Sequence, residues 1–170
     1  MRTEEQAASE ALRADVARHC VRFVDVQPDW SAFTPVKLPG NERAIFQYVG
    51  PNGHGQLDPW ALPAEHFSVY LVYVPPGGGA PYHQHAAEEV FTVLEGRVSF
   101  WWERDGVEAE IVLGPKDLLY CPAHQRLRFV NTGVEGAWLH VALGGQAAPP
   151  QYDLERLLPP QGPAPQTSTG

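Results

Sequence analysis

Basic side chains are scarce. Twelve Lys and Arg stand against twenty Asp and Glu, a formal net charge of −8. Phosphate recognition requires a basic face, so nucleic acid is not an expected partner. Cysteine is nearly absent: Cys20 and Cys121 lie about a hundred residues apart, which is neither a disulfide framework, a zinc ribbon nor a redox CxxC. A reduced, cytoplasmic setting is the natural expectation. Long apolar runs are also missing. No stretch approaches the ~20 residues of a membrane span, and the opening MRTEEQAASEALRADVARHC has no apolar core of the kind a signal peptide carries. Charged residues are only 19% and hydrophobic ones 44%, which excludes a highly charged disordered chain and leaves enough apolar material for a core.

Glycine (16) and proline (17) are abundant in these 170 residues, so one domain rich in turns and short elements is expected. Residues 3–20 read as a helix, because Ala8, Leu12, Val16 and Cys20 recur every fourth position. The stripe is narrow, and the helix is expected to pack on something larger. A loop-rich segment follows from Pro28 to Pro63, with one short strand at Ala44–Val49. Residues 1–65 thus read as a helix and arm on a barrel spanning 66–145.

From His66 onward the texture is that of strands. HFSVYLVYV (His66–Val74) is apolar on both faces, which suggests a second buried surface and a homodimer. Glu89–Leu94, Arg97–Glu103, Val107–Leu113, Asp117–Cys121, Leu127–Val130 and Ala137–Leu143 complete the set, with Asp105-Gly106 as a hairpin turn. Short strands about ten residues apart indicate an all-β protein, an antiparallel sandwich or barrel. Residues 151–158 read as a short helix and the Pro-rich remainder of 146–170 as a disordered tail.

One cluster carries chemistry. His83 and His85 are two apart, so on a strand both imidazoles project to one face, and Glu89 lies at even spacing beyond them. Two imidazoles and a carboxylate suit a divalent transition metal, with neutral borderline donors and one anionic oxygen. HxH alone is expected by chance roughly 0.3 times in such a composition. Requiring Gly77, Glu89 and Gly96 at their spacings lowers that to roughly two in ten thousand. The combination resembles the first motif of the cupin family, G-x5-H-x-H-x3-E-x6-G, matched at all five fixed positions.

The resemblance covers about residues 66–145 and implies a double-stranded β-helix, a jelly-roll barrel of the RmlC-like type. It also implies a metal site and, commonly, dimerisation. The second family motif, G-x5-P-x-G-x2-H-x3-N, is degenerate here. Pro122 and Asn131 are in register, Gly114 lies two residues early, His124 stands at the turn glycine, and Leu127 replaces the last metal-binding histidine. The shell is thereby reduced to His83, His85 and Glu89. That is the facial set of non-heme Fe(II) oxygenases, or else a weakened site. His124, in the turn before the strand, is the first candidate to fill the gap, ahead of His140 and His66. For each of the three, taken singly, an ordinary surface or hydrogen-bonded imidazole is the better reading.

Phe91 shares parity with Glu89, and Phe129 with Leu127. These side chains, with His140 on the last strand, are expected to line an apolar pocket for a small molecule. Arg126 and Arg128 flank Leu127 and read as surface ion pairs. The functional expectation is a metal-dependent oxidoreductase, dioxygenase-like, with Fe(II) first and manganese, zinc or nickel as alternatives. An isomerase or decarboxylase and a non-catalytic binding module are the competing readings.

Overall fold

Alternation of side chains, rather than helix periodicity, builds this chain. The structure, a computed structural model, describes residues 4–32, 39–145 and 150–153. One helix, α1 (Glu4–Ala17), and a single 3-10 turn (Phe23–Asp25) precede the strands. These are β1 (Ala44–Val49), β2 (Phe67–Val74), β3 (Gly79–Gln84), β4 (Glu89–Glu95) and β5 (Val98–Arg104). They continue as β6 (Val107–Leu113), β7 (Leu118–Cys121), β8 (Arg126–Asn131), β9 (Ala137–Gly144) and β10 (Gln151–Tyr152). Two antiparallel sheets result, in the orders β1-β2-β9-β4-β7 and β10-β3-β8-β5-β6. This is a jelly-roll sandwich, antiparallel as the strand spacing leads one to expect and of the type the family resemblance implies. Asp105 and Gly106 both take positive φ at the β5–β6 turn, the left-handed pair that a two-residue hairpin needs.

The period of two separates the faces cleanly. In β9, Ala137, Leu139, Val141 and Leu143 are buried and the residues between them only half-buried. Phe91 of β4 meets Phe100 of β5 and Phe129 of β8, with ring centroids 5.3 and 5.7 Å away. Each such fully buried side chain contributes about 1.5–3 kcal/mol, so this triad joins the two sheets. Asn131, 1% exposed, ties loops to the core by donating to the Val74 and Glu135 carbonyls and accepting from Gly133 N–H.

Several expectations are corrected. No residue of α1 is buried, so its Ala8–Leu12–Val16 stripe does not pack on the barrel within this chain. The second apolar face of β2 is met from within the chain at Tyr73, while Phe67 on the same face is 47% exposed. Tyr73 packs on Trp138 and Trp30, and Trp138 on Phe46 and Phe23. Residues 151–152 form a strand instead of a helix, because their backbone pairs with β3. The remaining helical positions, 154–158, and the Pro-rich tail lie outside the described residues. β6 alternates in sequence, yet only Leu113 is buried, since it is the edge strand of its sheet and its Val107 and Ile111 face solvent. The sheets also extend beyond 66–145 on both sides, through β1 and β10. Among the described residues no helix is long and apolar enough to cross a membrane.

Candidate metal centre

His83 sits on β3 directly opposite Leu127 of β8. His85 lies one residue past the end of β3, and Gln84 between them points outward to bond Gln151. Glu89 opens β4, paired with Leu143 of β9 on one side and Cys121 of β7 on the other. Pleating therefore delivers both imidazoles and the carboxylate to the interior, where they are 6%, 7% and 3% exposed. One donor atom from each of the three lies within 4.8 Å of the others. His85 Nε2 is 3.8 Å from Glu89 Oε2.

Hydrogen bonds fix the ligating atoms. His83 Nδ1 donates to the Pro81 carbonyl at 2.7 Å, so the lone pair resides on Nε2. Tyr70 of β2, itself buried, donates its hydroxyl to Glu89 Oε1 at 3.1 Å. Glu89 Oε2 has no hydrogen-bond partner, although a buried carboxylate oxygen is costly to leave unsatisfied. Burial, with the neighbouring His85 acting in the same direction, drives the His83 imidazole down to about 3. Burial pushes the Glu89 carboxyl up to about 8, against the opposing pull of Tyr70 and Arg43. Cys121 is pushed up to about 12, again by burial first and Glu89 second, so it stands as a neutral thiol.

The donor set fits a divalent ion. Two neutral imidazoles supply lone pairs, and the carboxylate offers an oxygen that nothing else satisfies. Metal–ligand bonds of about 2.0–2.2 Å would close the spacing with small side-chain movement. These three are also the one group of this kind among the described residues.

They line a narrow cavity between the sheets with Arg43, Ile45, Tyr70, Val72, Phe91, Phe129 and Tyr152. The space that a water centre can occupy is about 20 Å3, enough for an ion or one to two waters, and the whole cleft counted out to its open mouth is about 310 Å3. Phe91 and Phe129 are on the wall as parity predicts. Leu127, expected to line the pocket, is buried at 1% exposure opposite His83 but is not among the lining residues.

Two expected participants are elsewhere. His124 is exposed, in a left-handed turn with φ of 64°, and contributes only its backbone N–H to the His85 carbonyl at 2.7 Å. It does not fill the fourth position. His140 lies on the outer face of β9, because Leu139 and Val141 take the inner one. Arg126 pairs with Glu103 at 3.4 Å and with Asp153, and Arg128 lies over Trp101, 3.9 Å from its centroid.

Arg43, Tyr70 and Tyr152 are wall residues that sequence reasoning missed. For Tyr70 a signal existed, since it shares parity with Val72 and Val74; for Arg43 and Tyr152 none did.

The turns preserve what the sequence has lost. Gly77 and Gly96 of the first motif have φ of 76° and 82°. At the glycine positions of the second motif stand Lys116 and His124, with φ of 77° and 64°. The backbone path is kept although both glycines are gone, which fixes Leu127 at the position of the missing histidine.

Known proteins bear on this geometry in three ways. The cupin-domain family profile matches residues 70–142. A segment of 69 residues is 35% identical to dimethylsulfoniopropionate lyase DddQ of Ruegeria pomeroyi, covering 41% of this chain and 32% of that protein. The match thus spans about a third of the relative's length. Among solved structures, the polyketide cyclase RemF of Streptomyces resistomycificus superposes with a TM-score of 0.57 at 23% identity, covering 79% of this chain and 84% of that one. The cupin domain of Schizosaccharomyces pombe Cnp3 gives 0.51 at 12% identity over 74% and 68%. These two likenesses speak to the fold.

Proposed function

The chain belongs to the cupin superfamily, and from that premise we propose that it is a metal-dependent enzyme acting on a small, partly apolar organic molecule, dioxygenase-like in its chemistry. The observation that carries this is the buried His83–His85–Glu89 group with its unsatisfied carboxylate oxygen. When bound there, Fe(II), or manganese, zinc or nickel, would supply a Lewis acid with coordination positions that Leu127 leaves open to substrate.

The protein's part is orientation and exclusion. The Pro81 carbonyl sets the His83 tautomer, and the Tyr70 hydroxyl holds one carboxylate oxygen of Glu89 so that the other faces His85. Phe91, Phe129 and Val141 keep water from the same space. The exposed Leu12 and Val16 of α1 suit a contact with a second copy, in keeping with a homodimer.

A second reading, lyase or isomerase chemistry without oxygen, draws support from the local identity to the lyase.

Metal analysis of purified protein beside His83→Ala tests the proposal. The variant should lose most of its metal, and equal content in both would overturn it. Oxygen uptake by iron-loaded protein with aromatic and diketone compounds then separates the readings. Uptake supports the dioxygenase, and its absence in metal-replete protein moves the weight to the lyase or to a binding module.

A further inference from the structure

Beside the neutral imidazoles, the described cavity wall carries one cation, Arg43. Arg43, just ahead of β1, donates to the Gly79 carbonyl at 2.8 Å and the Asn41 carbonyl at 3.2 Å, which fixes it between β1 and β3. Its other terminal nitrogen donates to the Tyr152 hydroxyl at 3.3 Å. That hydroxyl is thereby an acceptor toward Arg43, and its own proton is left to donate elsewhere.

Tyr152 is held in place from several sides. It pairs with His83 in the β10–β3 register, and its ring centroid is 6.0 Å from that of the imidazole. Asp153 N–H donates to the Tyr82 carbonyl at 3.1 Å, Gln151 accepts from Gln84, and Asp153 pairs with Arg126. Residues 151–153, so tied, present the Tyr152 phenol to the cavity as a fixed feature.

Charge decides what this wall prefers. Glu89 is the carboxylate on it and Arg43 the cation. A divalent ion on the three donors leaves the lining with an excess of positive charge, inside a chain whose net charge is −8. In a water-poor cavity such an excess is neutralised by the ligand.

We propose that Arg43 and Tyr152 form the subsite for the negatively charged end of the substrate, so that the cavity selects small organic carboxylates over their neutral analogues. The proposal rests on the reading of His83, His85 and Glu89 as the reactive centre, toward which the rest of the molecule points. Arg43 supplies the charge, and Tyr152 donates the hydrogen bond while Arg43 polarises it.

Calorimetric titration of the full chain with propanoate, against the isosteric neutral propanamide, tests this. It is run on zinc-loaded and on metal-free protein, with metal content measured in every sample. Wild type should bind propanoate roughly ten- to hundredfold more tightly than propanamide. Tyr152→Phe and Arg43→Met should each lose most of that preference without losing metal. Arg43→Lys, which keeps the charge, should retain part of it. Tyr152→Phe removes one oxygen from a ring that stays packed, so it decides the matter even where Arg43→Met loosens β1. The proposal is overturned if the two probes bind alike, if neither binds, or if the preference survives Tyr152→Phe and Arg43→Met. A wild type that takes up no metal sinks the enzyme reading alone, because the preference is read on the metal-free sample too.

Discussion

Without a cation, Glu89 should destabilise the fold that surrounds it. Burial raises its carboxyl from 4.5 to about 8. Below the lower value the group is protonated in both folded and unfolded chains, and its ionisation costs nothing. Between the two values the unfolded chain releases the proton and the folded chain does not, so stability falls as pH rises and the loss is complete above the upper value. At about 1.4 kcal/mol per pH unit the interval is worth on the order of 5 kcal/mol. Glu89→Gln keeps the shape and the acceptor for Tyr70 but cannot ionise. His83, lowered to about 3, works the other way: its stability is lost as pH falls below 6.5. It is present in both proteins and cancels from the comparison. Thermal melts of chelator-treated wild type and Glu89→Gln between pH ~5 and ~9 should therefore diverge, with the wild type lower at the alkaline end by roughly 10 °C or more. Adding a divalent metal should reverse the order, because mass action rewards the protein that binds it. Parallel melts across this range would refute the assignment of Glu89 as an unsatisfied buried carboxyl.

Leu127→His places a third imidazole opposite His83 across the β3–β8 pair. Metal affinity by competition with a chelator should rise by about tenfold or more, and an unchanged affinity would show that Leu127 does not occupy the missing ligand's position. Asn131→Ala removes the partner of the buried Val74 carbonyl, of the Glu135 carbonyl and of one loop N–H. Urea unfolding should register a loss of about 2–4 kcal/mol, and a wild-type midpoint would contradict that role.

Wherever one face of a strand is apolar and the other polar, the sequence is an adequate guide. β8 shows it, with Leu127 and Phe129 buried and Arg126 and Arg128 only half-buried. The His83–His85 pair and Glu89 were legible for the same reason, since spacing of two and a fixed motif both determine direction. His140 misled because β9 is apolar on both sides, with Trp138 and Ala142 outward, so parity could not be read from polarity. His124 misled because a left-handed turn residue obeys no strand parity. The Arg43–Tyr152 contact spans 109 positions. Nothing local encodes it: it exists because β1 and β10 close on the same end of the barrel from opposite ends of the chain. The exposure of α1 shows the converse limit, where a narrow apolar stripe finds no counterpart among the described residues.

The two short strands flanking the barrel have a consequence for how such a protein can change. The ion's three donors belong to β3, its end and β4, whereas the arginine and the phenol come from segments outside that stretch. On the proposed reading, reactivity and selectivity are therefore written on separable pieces of chain. Grafting the flanks of one barrel onto another would exchange the molecule that is admitted while leaving untouched the chemistry that awaits it.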